Sequence, residues 1–332
     1  MTISLHGNSE LAPPGEGHTS PAIYRKILRF RNILWARIRL DAASVPALVR
    51  LVLTDSNECL SPAEWDDLIE QASPGTALRL EGPDVLGFQA TEGILMAADR
   101  RGLEVALICD GPRLEDAAPM LYGLGLSTLV LRLYGTEPAH NAALGASDAF
   151  ERTALGALSL KGISCGAPLP RIVAAIMITP LNQHTIVESV ECAFAMGADQ
   201  VTVMHSLAET RKNLRIDAMS VAAQVRNIQS RWRTGLVDFS PRLTLRQIEA
   251  FYSNGSLTIG PNSCLTPWRS VTVDSSGAVS LCCDGPVGNM RRESLASAFN
   301  SPAARSLRST LRRGFRLECH GCSGRFGGSF LI

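Results

Sequence analysis

The sequence lacks a charge imbalance, a long apolar run and a recognisable export signal. It carries 32 Lys and Arg against 31 Asp and Glu, which argues against a general nucleic-acid-binding role. No apolar run reaches the roughly 18 residues of a transmembrane helix, so no membrane span is predicted. The chain has 332 residues, 45% of them hydrophobic, which is enough for one larger domain and one small domain.

The amino terminus shows no targeting segment. Met1–Ser20 is polar, contains Pro13-Pro14-Gly15 and lacks the basic and then apolar order of a signal peptide. We therefore expect residues 1–22 to form a disordered lead-in and the protein to be cytoplasmic. Nine cysteines in such a chain, including one Cys-x-x-Cys pair, indicate metal chemistry rather than disulfide bonds.

Residues 23–48 are predicted to form an amphipathic helix and a linker. Within Ile23–Trp35 the apolar residues make one helical stripe, and the basic residues lie off it. Such a helix either docks on a partner or an anionic surface, or caps a domain while its charges stay in water.

Residues 49–255 alternate between predicted strands and helices. The strands lie at Leu51–Thr54, Ala77–Leu80, Glu104–Cys109, Thr128–Leu133, Ile172–Ile178 and Gln200–Met204. Short apolar strands between helices are typical of a parallel sheet. The pattern predicts an α/β fold, an open partial (β/α)6 barrel with its functional mouth at the strand carboxyl ends. A doubly wound sheet is the alternative.

Residues 256–332 contain a group of cysteines that suits a metal centre. Seventeen residues separate Cys264 from Cys282, across a predicted hairpin that turns at Asp274–Gly277, and Cys319 and Cys322 form a tight pair. Four thiolates from a hairpin and a knuckle suit tetrahedral zinc or an iron–sulfur cluster. The spacing alone slightly favours zinc.

This region resembles a known family. Cys264-x12-Gly277-x4-Cys282, Asn289 and Cys319-x-x-Cys322 resemble the SPASM domain that follows the barrel of radical S-adenosylmethionine (SAM) enzymes. The match is to its shorter "twitch" form. The resemblance implies an α+β domain that binds one auxiliary [4Fe–4S] cluster. Its implied ligands are Cys264, Cys282, Cys319 and Cys322.

The barrel region also resembles this superfamily. Glu81-Gly82-Pro83 resembles an altered form of the Gly-Gly-Glu-Pro stretch that meets the amino group of SAM, and Cys109-Asp110-Gly111 stands where Thr-Asn-Gly is usual. The resemblance makes Glu81, Gly82 and Pro83 the candidate SAM-binding residues. Tyr134–Asn141 resembles the loop after the fourth strand.

One defining feature of the superfamily is missing. Its Cys-x3-Cys-x2-Cys loop should follow the first strand, but only Cys59 stands between Thr54 and the next helix. One thiolate cannot hold a four-iron cluster, and the altered Gly-Gly-Glu-Pro stretch also makes SAM binding doubtful. We therefore predict a degenerate radical SAM protein, a pseudoenzyme in which the auxiliary site alone is intact.

Three functional hypotheses follow. The leading one is a helper or electron-relay partner of an active radical SAM enzyme that modifies a peptide or small molecule. The second is an oxidoreductase or maturase active in its own right, and the third is a zinc-stabilised binding module.

Some other polar residues have two interpretations each. His140 and His205 follow strands and are either acid–base groups or structural. Arginines in the segment Ser301–Arg313 are expected to form one basic face, either solvated or open to an acidic electron donor or partner. These arginines are Arg305, Arg308, Arg312 and Arg313.

Overall fold

A parallel sheet organises the chain. The computed structural model describes residues 45–55, 58–162, 169–205, 216–254, 264–282, 285–314 and residue 319. In these residues, successive strands are β1 (Leu48–Val52), β2 (Ala77–Glu81), β3 (Glu104–Cys109), β4 (Thr128–Leu133), β5 (Arg171–Ile178), β6 (Gln200–His205), β7 (Val237–Ser240), β8 (Ser270–Asp274), β9 (Ala278–Ser280) and β10 (Pro286–Asn289). The strands β1 to β7 pair in parallel and in chain order.

Helices follow most of these strands. The described helices are α1 (Pro62–Glu70), α2 (Thr91–Arg100), α3 (Leu114–Gly123), α4 (Glu137–Leu144), α5 (Ala149–Gly162), α6 (Ile186–Ala195), α7 (Ala218–Arg231), α8 (Leu245–Asn254), α9 (Leu295–Phe299) and α10 (Pro302–Arg313). None of them has the length and apolar character needed to cross a membrane. The predicted helix Ile23–Trp35 lies outside the described residues.

The two faces of the sheet differ in chemistry. One face carries Leu51, Leu80 and Leu107. These residues belong to the large core, which also includes apolar side chains of the helices. The opposite face, here called the inner face, carries a small apolar cluster of Ile108, Val130, Val173 and Ala175, packed by Met204. Because side chains alternate along a strand, the residues next to the core positions line this inner face.

The C-terminal region continues the same sheet. Strand β8 pairs in parallel with β1, with Leu48 opposite Ser270 and Val52 opposite Asp274. Strands β9 and β10 then add antiparallel neighbours, so the order is β10-β9-β8-β1-β2-β3-β4-β5-β6-β7. The predicted hairpin is confirmed, and its turn at Asp274–Gly277 lies next to the carboxyl end of β1.

The barrel-like architecture is confirmed, and the structure adds elements to it. The strands keep their chain order, without the reversal of a doubly wound sheet. The sequence analysis did not predict β7 or β10. It also interpreted Tyr134–Asn141 as a loop, whereas α4 begins inside it at Glu137, where Pro138 supplies a favourable first turn.

A close backbone approach joins the first two strands of the barrel. A Cβ atom added to Gly82 would lie 2.0 Å from the carbonyl oxygen of Leu53. The Leu53 amide also donates to the Glu81 carbonyl at 2.8 Å. Glycine is therefore required at the end of β2 because any side chain would push the two strands apart.

This approach gives a first prediction. The variant Gly82→Ala should be destabilised by at least about 2 kcal/mol, because rigid backbone cannot move away from the new methyl group. Thermal unfolding followed by circular dichroism measures the loss. Gly93→Ala is the control: nothing lies within 4 Å of that position in helix α2, so it should unfold at the same or a higher temperature. Equal unfolding temperatures of the two variants would contradict the close approach of Gly82 to Leu53.

Candidate functional site

The loop after β1 is held by the C-terminal hairpin. The Thr54 amide donates to the Ser275 hydroxyl at 2.7 Å, and the Leu60 amide donates to the Ser275 carbonyl at 2.7 Å. The Ser275 hydroxyl in turn donates to the Val52 carbonyl at 3.3 Å. Ser275 is buried, so the turn of the hairpin fills the space beside the loop that carries Cys59.

A second contact joins the same loop to the C-terminal region. The Arg291 guanidinium donates to the Cys59 carbonyl at 2.9 Å and to the Glu64 carboxylate at 2.8 Å. Glu64 also closes the capping box of α1 with Ser61. The hydrogen bond from Arg291, with those at Ser61, lowers the pKa of Glu64 to about 2. The backbone on both sides of Cys59 is thus bound by the C-terminal region, while its half-buried thiol donates to the Thr54 carbonyl at 3.5 Å.

The candidate SAM residues lie at the end of β2 and have partners of their own. The Glu81 carboxylate accepts from Arg79 at 2.9 Å and also pairs with Arg50. The carbonyl of Gly82 accepts from Arg132 at 3.0 Å, and Pro83 is exposed. Charges on Arg79 and Arg50 lower the pKa of Glu81 even though burial opposes them. Glu81 is therefore an ionised carboxylate engaged with two guanidiniums.

A second ion pair lies beside the first on the inner face. The Arg132 guanidinium binds Asp110 through two nitrogens, each at 2.8 Å from a carboxylate oxygen. The hydroxyl of Tyr134 donates to the same carboxylate at 3.1 Å. Arg132 also reaches Gly82, so this pair links the ends of β2, β3 and β4. Such charge-assisted contacts hold the strand ends in fixed relative positions.

His140 is a structural residue in this arrangement. It is fully buried, and its Nδ1 accepts a hydrogen bond from the Tyr134 amide at 3.3 Å. Its Nε2 lies 3.5 Å from the Thr153 hydroxyl. Burial lowers the pKa of His140 to about 4, so the imidazole is neutral at physiological pH. A neutral ring held on both nitrogens positions α4 and α5 and has no free nitrogen for proton transfer.

His205 and Cys109 point into the helix-side core. His205 is buried and its Nδ1 lies 2.8 Å from the hydroxyl of Tyr252, while burial lowers its pKa to about 4. Burial raises the pKa of Cys109 to about 12, so this thiol stays protonated. Cys109 is a buried residue of the large core.

The structure describes three of the four candidate cysteine ligands. Cys264 precedes a short 3₁₀ turn at Thr266–Trp268, Cys282 follows β9, and Cys319 follows α10. All three are half-buried, and Cys282 and Cys319 pack against the large core. The pairing of β8 with β9 ends with Thr272 opposite Ser280, so Cys282 lies two residues beyond it, at the open end of the hairpin.

The set of four ligands remains a prediction. Cys322 lies outside the described residues. Within the residues that the structure does describe, no three His, Cys, Asp or Glu side chains lie close enough to hold a metal ion. The donor chemistry of four thiolates nevertheless fits an iron–sulfur cluster, which is held by cysteines.

The predicted basic face needs a correction. Arg308 is fully buried and donates to the carbonyls of Pro267 and Phe299 and to the side chain of Asn300. Its guanidinium also lies 4.8 Å from the centre of the Phe299 ring. Arg308 therefore joins α10 to the turn after Cys264 and cannot contact a partner. The other three arginines of the set are exposed.

The sequence analysis missed the inner-face ion pairs. Arg50, Arg79 and Arg132 each stand inside an apolar strand, at positions where the alternation turns them away from the core. A charged residue flanked by aliphatic residues in a short strand was the available signal. It identifies one polar face but not which acid pairs with which arginine.

The comparisons with known proteins agree with this fold. Residues 264–323 match the family model of the SPASM iron–sulfur cluster-binding domain. SuiB from Streptococcus suis, in its structure bound to S-adenosylmethionine, superimposes with a TM-score of 0.62 at 14% identity, over 94% of this chain and 76% of SuiB. The structure of SuiB bound to the precursor peptide SuiA gives the same TM-score and identity, over 98% of this chain and 79% of SuiB.

A second solved protein gives a similar result. The structure of anSMEcpe with bound AdoMet superimposes with a TM-score of 0.58 at 13% identity, over 83% of this chain and 86% of anSMEcpe. No curated protein matches this sequence.

The buried position of Arg308 gives the second prediction. Arg308→Met should lower the unfolding free energy by about 3 kcal/mol, because several buried carbonyl and amide oxygens lose a charged donor. Arg313→Met on the same helix is the control and should change stability by less than about 0.5 kcal/mol, since that side chain is exposed. Urea unfolding followed by tryptophan fluorescence measures both. An Arg308→Met variant with unchanged stability would contradict the buried position of Arg308 and support the exposed basic face that the sequence predicts.

The chain thus has the fold of radical SAM enzymes, and at its C-terminus it carries a SPASM iron–sulfur cluster-binding domain.

Proposed function

We propose that this protein is a degenerate radical SAM protein that helps an active radical SAM enzyme to modify a peptide or small molecule. In this role it holds one auxiliary [4Fe–4S] cluster and acts in the cytoplasm. The observation that carries the proposal is the loop after β1. It contains one cysteine, and its backbone donates to Ser275 at Thr54 and Leu60 and accepts from Arg291 at Cys59.

The end of β2 supports the same proposal. A SAM amino group would have to compete with Arg50 and Arg79 for the Glu81 carboxylate, and with Arg132 for the Gly82 carbonyl. Removing partners from buried charges is costly, because each group left unpaired loses its compensating interaction. The internal pairs therefore oppose SAM binding in the usual position.

The proposed ligands of the auxiliary cluster are Cys264, Cys282, Cys319 and Cys322. Four cysteine ligands leave no iron open to substrate, so a bound cluster would supply one-electron transfer or hold the C-terminal domain together. The chain's own contribution is to fix the elements that carry the thiolates. Arg308 does so by fastening α10 to the turn after Cys264.

A peptide is the favoured substrate class of the enzyme that is helped. Three of the matched structures contain peptides: SuiB with the precursor peptide SuiA, and anSMEcpe with peptides named Cp18Cys and Kp18Cys. Their likeness to this chain supports a protein or peptide ligand over other classes.

The metal content gives the third prediction. Protein purified without oxygen should contain about four irons and four sulfides per chain, the stoichiometry of one [4Fe–4S] cluster. The double variant Cys319→Ala with Cys322→Ala should lose both, whereas Cys59→Ala, the control, should keep them. Iron, sulfide and zinc analysis decides the question. One zinc without sulfide would instead support the zinc-stabilised binding module.

The helper role gives the fourth prediction. The reduced protein alone should release no 5′-deoxyadenosine from SAM, but an intact radical SAM enzyme encoded next to it should need this chain for full turnover. Because the exposed arginines are the candidate docking residues, Arg305→Glu with Arg312→Glu should weaken co-purification while leaving the iron content unchanged. SAM cleavage by this chain alone would favour the second hypothesis, an enzyme active in its own right.

A further inference from the structure

Two arginines lie side by side on the inner face of the sheet. Arg50 of β1 stands directly opposite Arg79 of β2 in the parallel register. Like charges in such positions repel each other and destabilise a sheet unless another group compensates them. A pair of this kind inside a barrel therefore needs an explanation.

One carboxylate compensates both guanidiniums. Glu81 binds Arg50 through one oxygen and Arg79 through the other. Two positive charges thus share one negative charge, and the local group of three side chains carries a net charge of +1. The Nε atom of Arg79 is also buried and has no hydrogen-bond partner among the described residues. A buried donor without a partner is costly, so this group is one acceptor short.

The shift in the pKa of Arg79 agrees with this excess of positive charge. Burial lowers the pKa of Arg79, and the charges of Arg50 and Arg132 lower it further, whereas Glu81 opposes the change. An added anion would relieve the repulsion among the three guanidiniums.

The neighbouring acids on this face have partners of their own. Asp110 is engaged by Arg132 and Tyr134. Glu104 stands opposite Ala77 at the amino-terminal end of β3 and has an interaction of its own. Asp274 stands opposite Val52 at the end of β8, where one of its carboxylate oxygens accepts from Ser276 and from the Ala278 amide. Among the described side chains, Glu81 is the acid whose hydrogen bonds reach both Arg50 and Arg79.

The site is also accessible. The side chain of Arg50 is 39% exposed, while those of Arg79 and Glu81 are 14% and 15% exposed. Arg50 therefore offers donors to a ligand inside the barrel, while Glu81 holds its guanidinium in place.

We propose that Arg50 and Arg79 bind a carboxylate of a ligand that enters the barrel, such as an acidic side chain or the C-terminus of a peptide. Guanidiniums match a carboxylate in shape because the planar fork donates two parallel hydrogen bonds. One negative charge neutralises the local excess, whereas a doubly charged phosphate would reverse it next to Glu81 and Asp110. The site needs neither the cluster nor a protein partner, so it goes beyond the proposed function.

Binding of matched peptides tests this site on the full-length, cluster-containing protein. Isothermal titration would compare the blocked tripeptide acetyl-Gly-Glu-Gly-amide with acetyl-Gly-Gln-Gly-amide, which has the same shape without the charge. We expect the glutamate peptide to bind about tenfold more tightly, the ratio that one charge-assisted contact supplies. Equal binding, or no binding of either peptide, would overturn the proposal.

Three variants locate the binding. Arg50→Gln should abolish the preference for the glutamate peptide, and Arg50→Lys should weaken it because the fork is lost. Arg100→Gln should leave it unchanged, since Arg100 lies in an exposed pair with Asp66 on the helix layer. Circular dichroism confirms that each variant is folded. A preference that survives Arg50→Gln would place the peptide elsewhere and refute this site.

Two competitors complete the test. Inorganic phosphate should displace the glutamate peptide only weakly, and tight competition would reassign the site to a phosphate group. SAM also carries a carboxylate, and its displacement of the peptide would reassign the site to that molecule. Either result overturns the assignment to a substrate carboxylate without bearing on the iron content of the C-terminal domain.

Discussion

The parallel pairing of β8 with β1 is the constraint on which the rest of the structure depends. It makes the C-terminal hairpin a continuation of the barrel sheet instead of a separate module. Because the register is fixed over five residues, the hairpin turn must lie at the carboxyl end of β1. The register alone thus places Ser275 within hydrogen-bond distance of Val52, Thr54 and Leu60.

This pairing also couples the two regions energetically. Removing the hairpin would expose one edge of β1 and leave the Thr54 and Leu60 amides without their acceptors on Ser275. Buried backbone groups without partners cost stability, so the barrel depends on the C-terminal region for its own first loop. Metal binding in that region would therefore stabilise the barrel as well, because binding to the folded state alone shifts the folding equilibrium.

Sequence patterns could predict the elements that local chemistry specifies. The capping box at Ser61 and Glu64, the Asp274–Gly277 turn and the six apolar strands follow from short-range rules, and the structure contains all of them. The strand β7 was missed because Val237–Ser240 is short and not strongly apolar. Arg308 was misplaced because spacing on a helix does not tell a buried arginine from a solvated one. Its partners come from Pro267 and Phe299, which only the folded chain brings near.

The inner face carries ion pairs at its strand ends. Arg132 bridges the ends of β2 and β3, and Glu81 is shared by two arginines. Ion pairs in a partly buried place are retained when they fix a geometry, because apolar residues of similar volume would be at least as stable. Three arginines on this face are therefore hard to explain by folding alone. A ligand with a negative group gives them a function that does not require the missing cysteines.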